Sequence, residues 1–176
     1  MINRQTLILG GVRSGKSRLA ERIALESQLP VTYIATATVQ DEEMRQRITA
    51  HQARRPAEWR VIEAPFELAA ALSSQAIAER CILVDCLTLW LTNLLIADDA
   101  TLFAREHEAF LTLLPTLSNR IIMVSNETNM GIIPMGALSR RYCDEAGRLH
   151  QELAQQCDQV ILTVAGLPHI LKGQQS

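Results

Sequence analysis

Apolar and polar positions alternate along this chain in two rhythms. Short, nearly unbroken apolar runs occur at Thr6-Leu7-Ile8-Leu9, at Val31 to Ala35, at Cys81 to Asp85, at residues 120–125 and at Gln159 to Val164. Such runs read as strands covered on both faces, as in a parallel sheet. Residues 59–63 form a further short strand signal. Between the runs lie stretches of helical period. Leu19, Ala20, Ile23 and Ala24 recur at that spacing, separated by Arg18, Glu21, Arg22 and Glu26. Similar stretches predict helices over residues 41–54, 66–78, from Asp85 through Leu95, over 102–114 and over 138–156. Asp41, Glu42 and Glu43 lie where a helix dipole favours acids, and Pro56 stops that helix. Asp98-Asp99 marks a turn. Residues 126–136 hold two glycines and a proline, so they form a loop, long for a compact domain. The tail after Gly166 is expected to be loose. Strand and helix signals in alternation predict an α/β fold, a mostly parallel sheet flanked by helices. Without repeats or a linker, residues 1–176 read as one domain.

Composition narrows the function classes. The chain has 176 residues, enough for one well-buried domain, and a formal charge of −2. That balance gives no electrostatic reason to expect nucleic acid or an anionic membrane as partner. Cys81, Cys86, Cys143 and Cys157 show no CxxC and no zinc-like spacing with histidine, so they read as small core residues in a reducing compartment. Residues 81–97 are the most apolar stretch, broken by Asp85 and Asn93 and short for a membrane span. Met1 leads almost directly into the first strand, without room for a signal peptide. A cytoplasmic protein is expected.

The chemistry starts at Gly10-Gly11-Val12-Arg13-Ser14-Gly15-Lys16-Ser17, which fits G-x-x-x-x-G-K-[ST]. It lies between a strand and a helix, the context that gives this phosphate-binding pattern mechanical meaning. Glycines let backbone N–H groups turn toward phosphate oxygens at a helix N-terminus. Lys16 is placed to reach the β/γ-phosphates and Ser17 to ligate Mg²⁺. Asp85, at the end of the strand Cys81-Ile82-Leu83-Val84, is the second candidate Mg²⁺ ligand; alternatively it caps the next helix.

Three further sets of residues carry possible chemistry. Arg47, His51, Arg54 and Arg55 share one side of the helix over 41–54. Cations around an imidazole disfavour its protonation, keeping His51 neutral and nucleophilic, and they suit a triphosphate. On residue type alone a solvated surface histidine is the commoner outcome, and the arginines could be a solvated face. Glu63 could accept from N1–H and the 2-amino group of guanine, or be a plain exposed strand-end acid. The N-K-x-D specificity loop of GTPases is absent; Ser125-Asn126-Glu127-Thr128 stands at its place. Glu127 is either a base for a substrate hydroxyl or an acceptor that orders the loop.

Taken in order, several motifs resemble the bifunctional adenosylcobinamide kinase/adenosylcobinamide-phosphate guanylyltransferase family of cobalamin biosynthesis. They are the glycine loop 10–17, Tyr33-Ile34-Ala35-Thr36-Ala37, Arg47-Ile48 through His51 to Arg55-Pro56-Ala57-Glu58-Trp59, residues 85–94, and the loop from Val124 through Met130 to Pro134. The resemblance implies a P-loop fold of the recombinase type assembled as a homotrimer. It implies phosphorylation of adenosylcobinamide by ATP or GTP, then transfer of GMP from GTP through a guanylylated histidine, which maps onto His51. Implied nucleotide contacts are residues 10–17, Ala35, Thr36, Ala37, Gln52, Ala53, Arg54, Arg55, Glu63 and Asp85, with Mg²⁺ on Ser17 and Asp85. There are departures: Thr128-Asn129 stands where the family has Val-Gly, so Asn129 is expected to take up a glycine's left-handed conformation. His150 stands where Asn is usual. A plain P-loop small-molecule kinase, in which His51 would be inert, and a nucleotide-switched binding module are the competing readings.

Overall fold

In a computed structural model, residues 4–38, 42, 45, 46, 49, 55–77 and 79–174 can be described. The apolar runs become β1 (Gln5–Gly10), β2 (Val31–Ala35), β3 (Arg60–Glu63), β4 (Cys81–Asp85), β5 (Arg120–Asn126) and β6 (Gln159–Val164). The amphipathic stretches become α1 (Lys16–Glu26), α2 (Leu68–Ser74), α3 (Leu87–Ile96), α4 (Ala100–Leu113) and α5 (Ala137–Gln156). Of the helix expected over 41–54, the described residues Glu42, Arg45, Gln46 and Thr49 are helical, and Thr49 Oγ1 donates to the Arg45 carbonyl at 2.9 Å. The helix expected over 66–78 is shorter than its apolar pattern: Leu68 opens it, and Ser74 is its last residue.

One seven-stranded sheet has the order β3-β2-β4-β5-β1-β6, followed by a last strand, β7 (Leu167–Lys172). The first six are parallel, and β7 runs antiparallel to β6. Residues 167–172, expected to be part of a loose tail, are thus a paired strand. Ala165 and Gly166 have φ of 51° and 81°, so a two-residue turn folds the chain back, and Pro168 is tolerated because β7 is an edge.

Side chains divide between the two faces with the strand period of two. Leu7, Leu9, Ile82, Val84, Ile121 and Met123 face a core with Trp90, Phe110, Leu149 and Leu153 from α3, α4 and α5. Ile8, Leu83, Ile122 and Val124 face the other side, against Leu19, Ala20, Ile23 and Ala24 of α1. Trp90 is fully buried, stands edge-on to Phe110 at 5.4 Å, and donates its indole N–H to the Phe66 carbonyl at 2.7 Å. The cysteines are free; Cys81 and Cys157 are core residues, whereas Cys86 and Cys143 are only partly covered. Among the described residues no helix is long and apolar enough to cross a membrane.

Candidate nucleotide site

Parallel pairing brings the carboxyl ends of six strands to one edge, and most of the singled-out residues lie there. Ala35 is in register with both Asp85 and Glu63, and Gly10 with both Asn126 and Thr163. Ligands of open α/β sheets bind at this edge.

The glycine loop is held tightly. Gly10 has φ 152°, and a Cβ there would lie 2.3 Å from the Thr163 carbonyl oxygen. Gly15 has φ 99° and caps α1, so glycine is needed at both positions. Gly11, Val12 and Arg13 are exposed, while Ser14 is buried and Ser17 partly so. Two neighbours brace the loop: Gly166 N donates to the Ser14 carbonyl at 2.9 Å, and Glu127 N donates to the Gly10 carbonyl at 2.9 Å. The first of these contacts comes from the hairpin that sequence reasoning did not find.

Lys16 is buried, and its Nζ donates to the Gly11 carbonyl at 2.5 Å. Burial pushes its amine below the ordinary lysine range, against the opposing pull of Cys86 and Asp85. Asp85 does not cap α3; Cys86 holds that position without a side-chain cap bond. Instead Asp85 Oδ2 accepts from the Tyr33 hydroxyl at 2.9 Å. Burial and the Asp85 charge push the Tyr33 phenol well above its ordinary range. The Arg55 guanidinium stacks 4.0 Å above the Tyr33 ring, so Arg55, Tyr33 and Asp85 form one chain of contacts.

Thr36 and Asn93 set the backbone around Asp85. Thr36 Oγ1 donates to the Cys86 carbonyl at 2.6 Å and accepts from Cys86 N at 2.9 Å. Buried Asn93 donates to the carbonyls of Thr36 and Pro65. From sequence, Asn93 only interrupted an apolar run, yet such an interruption is the signal of a buried polar group with a partner. Ala37 is partly covered beside Thr36. Glu63 is exposed and lines a cavity of about 560 Å³ with Pro65, Phe66, Ala71, Leu102 and Arg105. It stands four strands from Gly10, about 19 Å at the usual inter-strand spacing. Arg47, His51, Gln52, Ala53 and Arg54 lie outside the described residues.

Beyond β5, Glu127 Oε1 accepts from Asn129 N at 2.7 Å, and Oε2 lies 3.6 Å from His150 Nδ1. His150 Nε2 pairs with Ser125 Oγ at 2.8 Å. Burial lowers the His150 pKa below the ordinary histidine value, and Glu127 works against that. Asn129 is not in a left-handed conformation. Its amide donates to the Cys143 carbonyl at 2.9 Å, and the side chain packs on Gly147, so Asn is used here for its hydrogen bond.

A family model described as cobinamide kinase / cobinamide phosphate guanyltransferase matches residues 6–171. The chain belongs to this family. It is 62% identical over 168 residues to the bifunctional adenosylcobalamin biosynthesis protein CobP of Pseudomonas aeruginosa, covering 96% of this chain and 97% of that one. Identity to the CobU protein of Salmonella typhimurium is 37% over 175 residues, covering 92% and 96%. Family members couple a cobinamide kinase with a cobinamide-phosphate guanylyltransferase in adenosylcobalamin biosynthesis, and this chain is such a bifunctional enzyme. The P-loop fold is also that of more distant structures. The RadB recombinase superposes with a TM-score of 0.54 at 16% identity over 90% of this chain and 73% of that one. An ATPase of a bacterial type III secretion system superposes with 0.56 at 12% identity over 95% and 56%.

Proposed function

We propose that both reactions use the rim described above, and that the second proceeds through a covalent histidine. In the kinase step the cobinamide hydroxyl oxygen bonds to the γ-phosphorus of ATP or GTP and releases its proton to water. The bond to the bridging oxygen breaks, and a nucleoside diphosphate leaves. In the second step a His51 ring nitrogen attacks the α-phosphorus of GTP and pyrophosphate departs. The phosphate of cobinamide phosphate then attacks that phosphorus, the P–N bond breaks, and adenosylcobinamide-GDP forms.

The observation that carries this reading is the buried lysine held inside a loop whose Gly10 and Gly15 take backbone angles that other residues rarely adopt. Lys16, now turned onto the Gly11 carbonyl, would exchange that partner for β/γ-phosphate oxygens, while the loop N–H groups hold the rest. A hydroxyl at Ser17 and a carboxylate at Asp85, completed by phosphate oxygens and water, fit the hard oxygen ligands that Mg²⁺ takes. Mg²⁺ would neutralise charge on the leaving phosphates. Tyr33 orients the Asp85 carboxylate, and Arg55, fixed on Tyr33, adds positive charge to that side of the rim. Glu63, beside an apolar cavity large enough for a purine, supports recognition of guanine through its carboxylate. Thr36 and Asn93 hold the backbone that these groups stand on. A cytoplasmic homotrimer is part of the proposal, on family resemblance alone. The test separates the steps: His51→Ala should still phosphorylate adenosylcobinamide but form no adenosylcobinamide-GDP, whereas Lys16→Ala should lose both. Unimpaired GMP transfer by His51→Ala would overturn the covalent route.

A further inference from the structure

Between β5 and α5 the chain displays apolar side chains to solvent. Ile132 is 97% exposed, Met135 94%, Ile133 76% and Met130 75%, the four highest values among the large hydrophobics described. Leu138, at the start of α5, is half exposed. No charged residue occurs from Thr128 through Ser139. Isolated exposed hydrophobics need no explanation, but a contiguous set rimmed by polar groups marks a binding surface. The loop is also tied at both ends. Glu127 N bonds to the Gly10 carbonyl, Asn129 bonds to Cys143 of α5, and the Arg140 guanidinium donates to the carbonyls of Pro134 and Met135.

We propose that residues 130–135 are the platform on which the corrin ring of the cobinamide substrate rests. This rests on the family's cobinamide kinase activity and extends it to a site for the ring. Three arguments select this occupant. First, the reacting hydroxyl sits on a short arm of the corrinoid, so the ring must lie one arm's length from the γ-phosphate. Met130 is three residues from Glu127, whose amide is bonded to the phosphate loop, so it lies within about 10 Å of that anchor. Second, the corrin faces carry methyl groups and the periphery carries neutral amides. A surface of Ile and Met with no charged residue of its own, and with Thr128, Asn129 and loop carbonyls beside it, matches both. A nucleotide would demand cations aimed at it, and the bordering Arg140 guanidinium is turned onto the Pro134 and Met135 carbonyls. Third, methionines adapt to an irregular ligand face.

Ile132→Asp and Met135→Asp test the platform, because neither side chain contributes to the core; Ile132→Leu is the conservative control. Adenosylcobinamide affinity, read by equilibrium dialysis, should weaken about tenfold or more in each Asp variant and stay near wild type in Ile132→Leu. The KM for the triphosphate and the sedimentation coefficient should not change. Unchanged corrinoid affinity would overturn the proposal. A shifted sedimentation coefficient would also overturn it, since a second copy of the chain would then be the occupant. GMP incorporation into protein without corrinoid is followed in parallel. Its absence from wild type would count against the histidine route and leave the affinity readout on the platform intact.

Discussion

Replacing Gly10 by Ala and Gly11 by Ala makes the same chemical change at adjacent positions, with opposite structural consequences. At Gly10 the new methyl carbon would stand 2.3 Å from the Thr163 carbonyl oxygen and 2.7 Å from Ser14 Oγ, on a residue with φ 152°. The backbone conformation costs a residue other than glycine about 1–3 kcal/mol. Overpacking against backbone that cannot rotate away adds about 1–3 kcal/mol. A loss of about 3 kcal/mol lowers the melting temperature of a domain this size by roughly 6–12 °C. At Gly11 nothing lies within 4 Å of the added carbon. An exposed substitution of that kind stays within about 0.5 kcal/mol, or roughly 2 °C. Thermal unfolding without nucleotide, followed by circular dichroism, gives both numbers. The Gly10 shift must also move the Glu127 contact, because Glu127 N is bonded to the Gly10 carbonyl. Nucleotide affinity should therefore fall together with stability in Gly10→Ala. Equal melting temperatures for the two variants would refute the packing of the loop against β6.

Tyr33→Phe removes the hydroxyl donor to Asp85 but keeps the ring under Arg55. Because Asp85 is partly open to water, we expect urea unfolding to show a loss of about 1 kcal/mol and turnover to need several-fold more Mg²⁺; no change in either would remove Tyr33 from the site. His150 has its pKa lowered by burial, so below about pH 6.5 the unfolded chain takes up the proton more readily than the folded one. Stability should be level in this respect above that pH and fall as acid is added, and His150→Asn should lessen the fall; parallel melting curves from pH 7.5 to 5 would contradict this.

Local signals and distant contacts differed in how well they could be read from residues alone. β2 and β4 begin and end where their apolar runs do, because a strand buried on both faces is written as a nearly continuous apolar run. The threonine inside β2, Thr32, has its hydroxyl bonded to Arg80. The loop of residues 10–17 was legible because its spacing states its geometry directly. β7 was not. Its turn is Ala165-Gly166 where Asn-Gly would have been the recognisable signal, and Pro168 reads as a breaker unless the strand is known to be an edge. Asn129 was misread for a related reason: its residue type permits a left-handed backbone, but whether that or a side-chain hydrogen bond is used depends on Cys143 and Gly147, far along the chain. The alignment of Glu63, Ala35 and Asp85 across three strands is likewise a product of sheet order, which spacing does not encode.

The covalent histidine is tested most directly by the intact mass of the protein after incubation with GTP and Mg²⁺ without corrinoid, quenched at alkaline pH because phosphoramidates are acid-labile. Guanylylation of His51 gives a gain of one GMP in the wild type and none in His51→Ala. An unmodified wild-type mass, on protein shown to bind GTP, would contradict it.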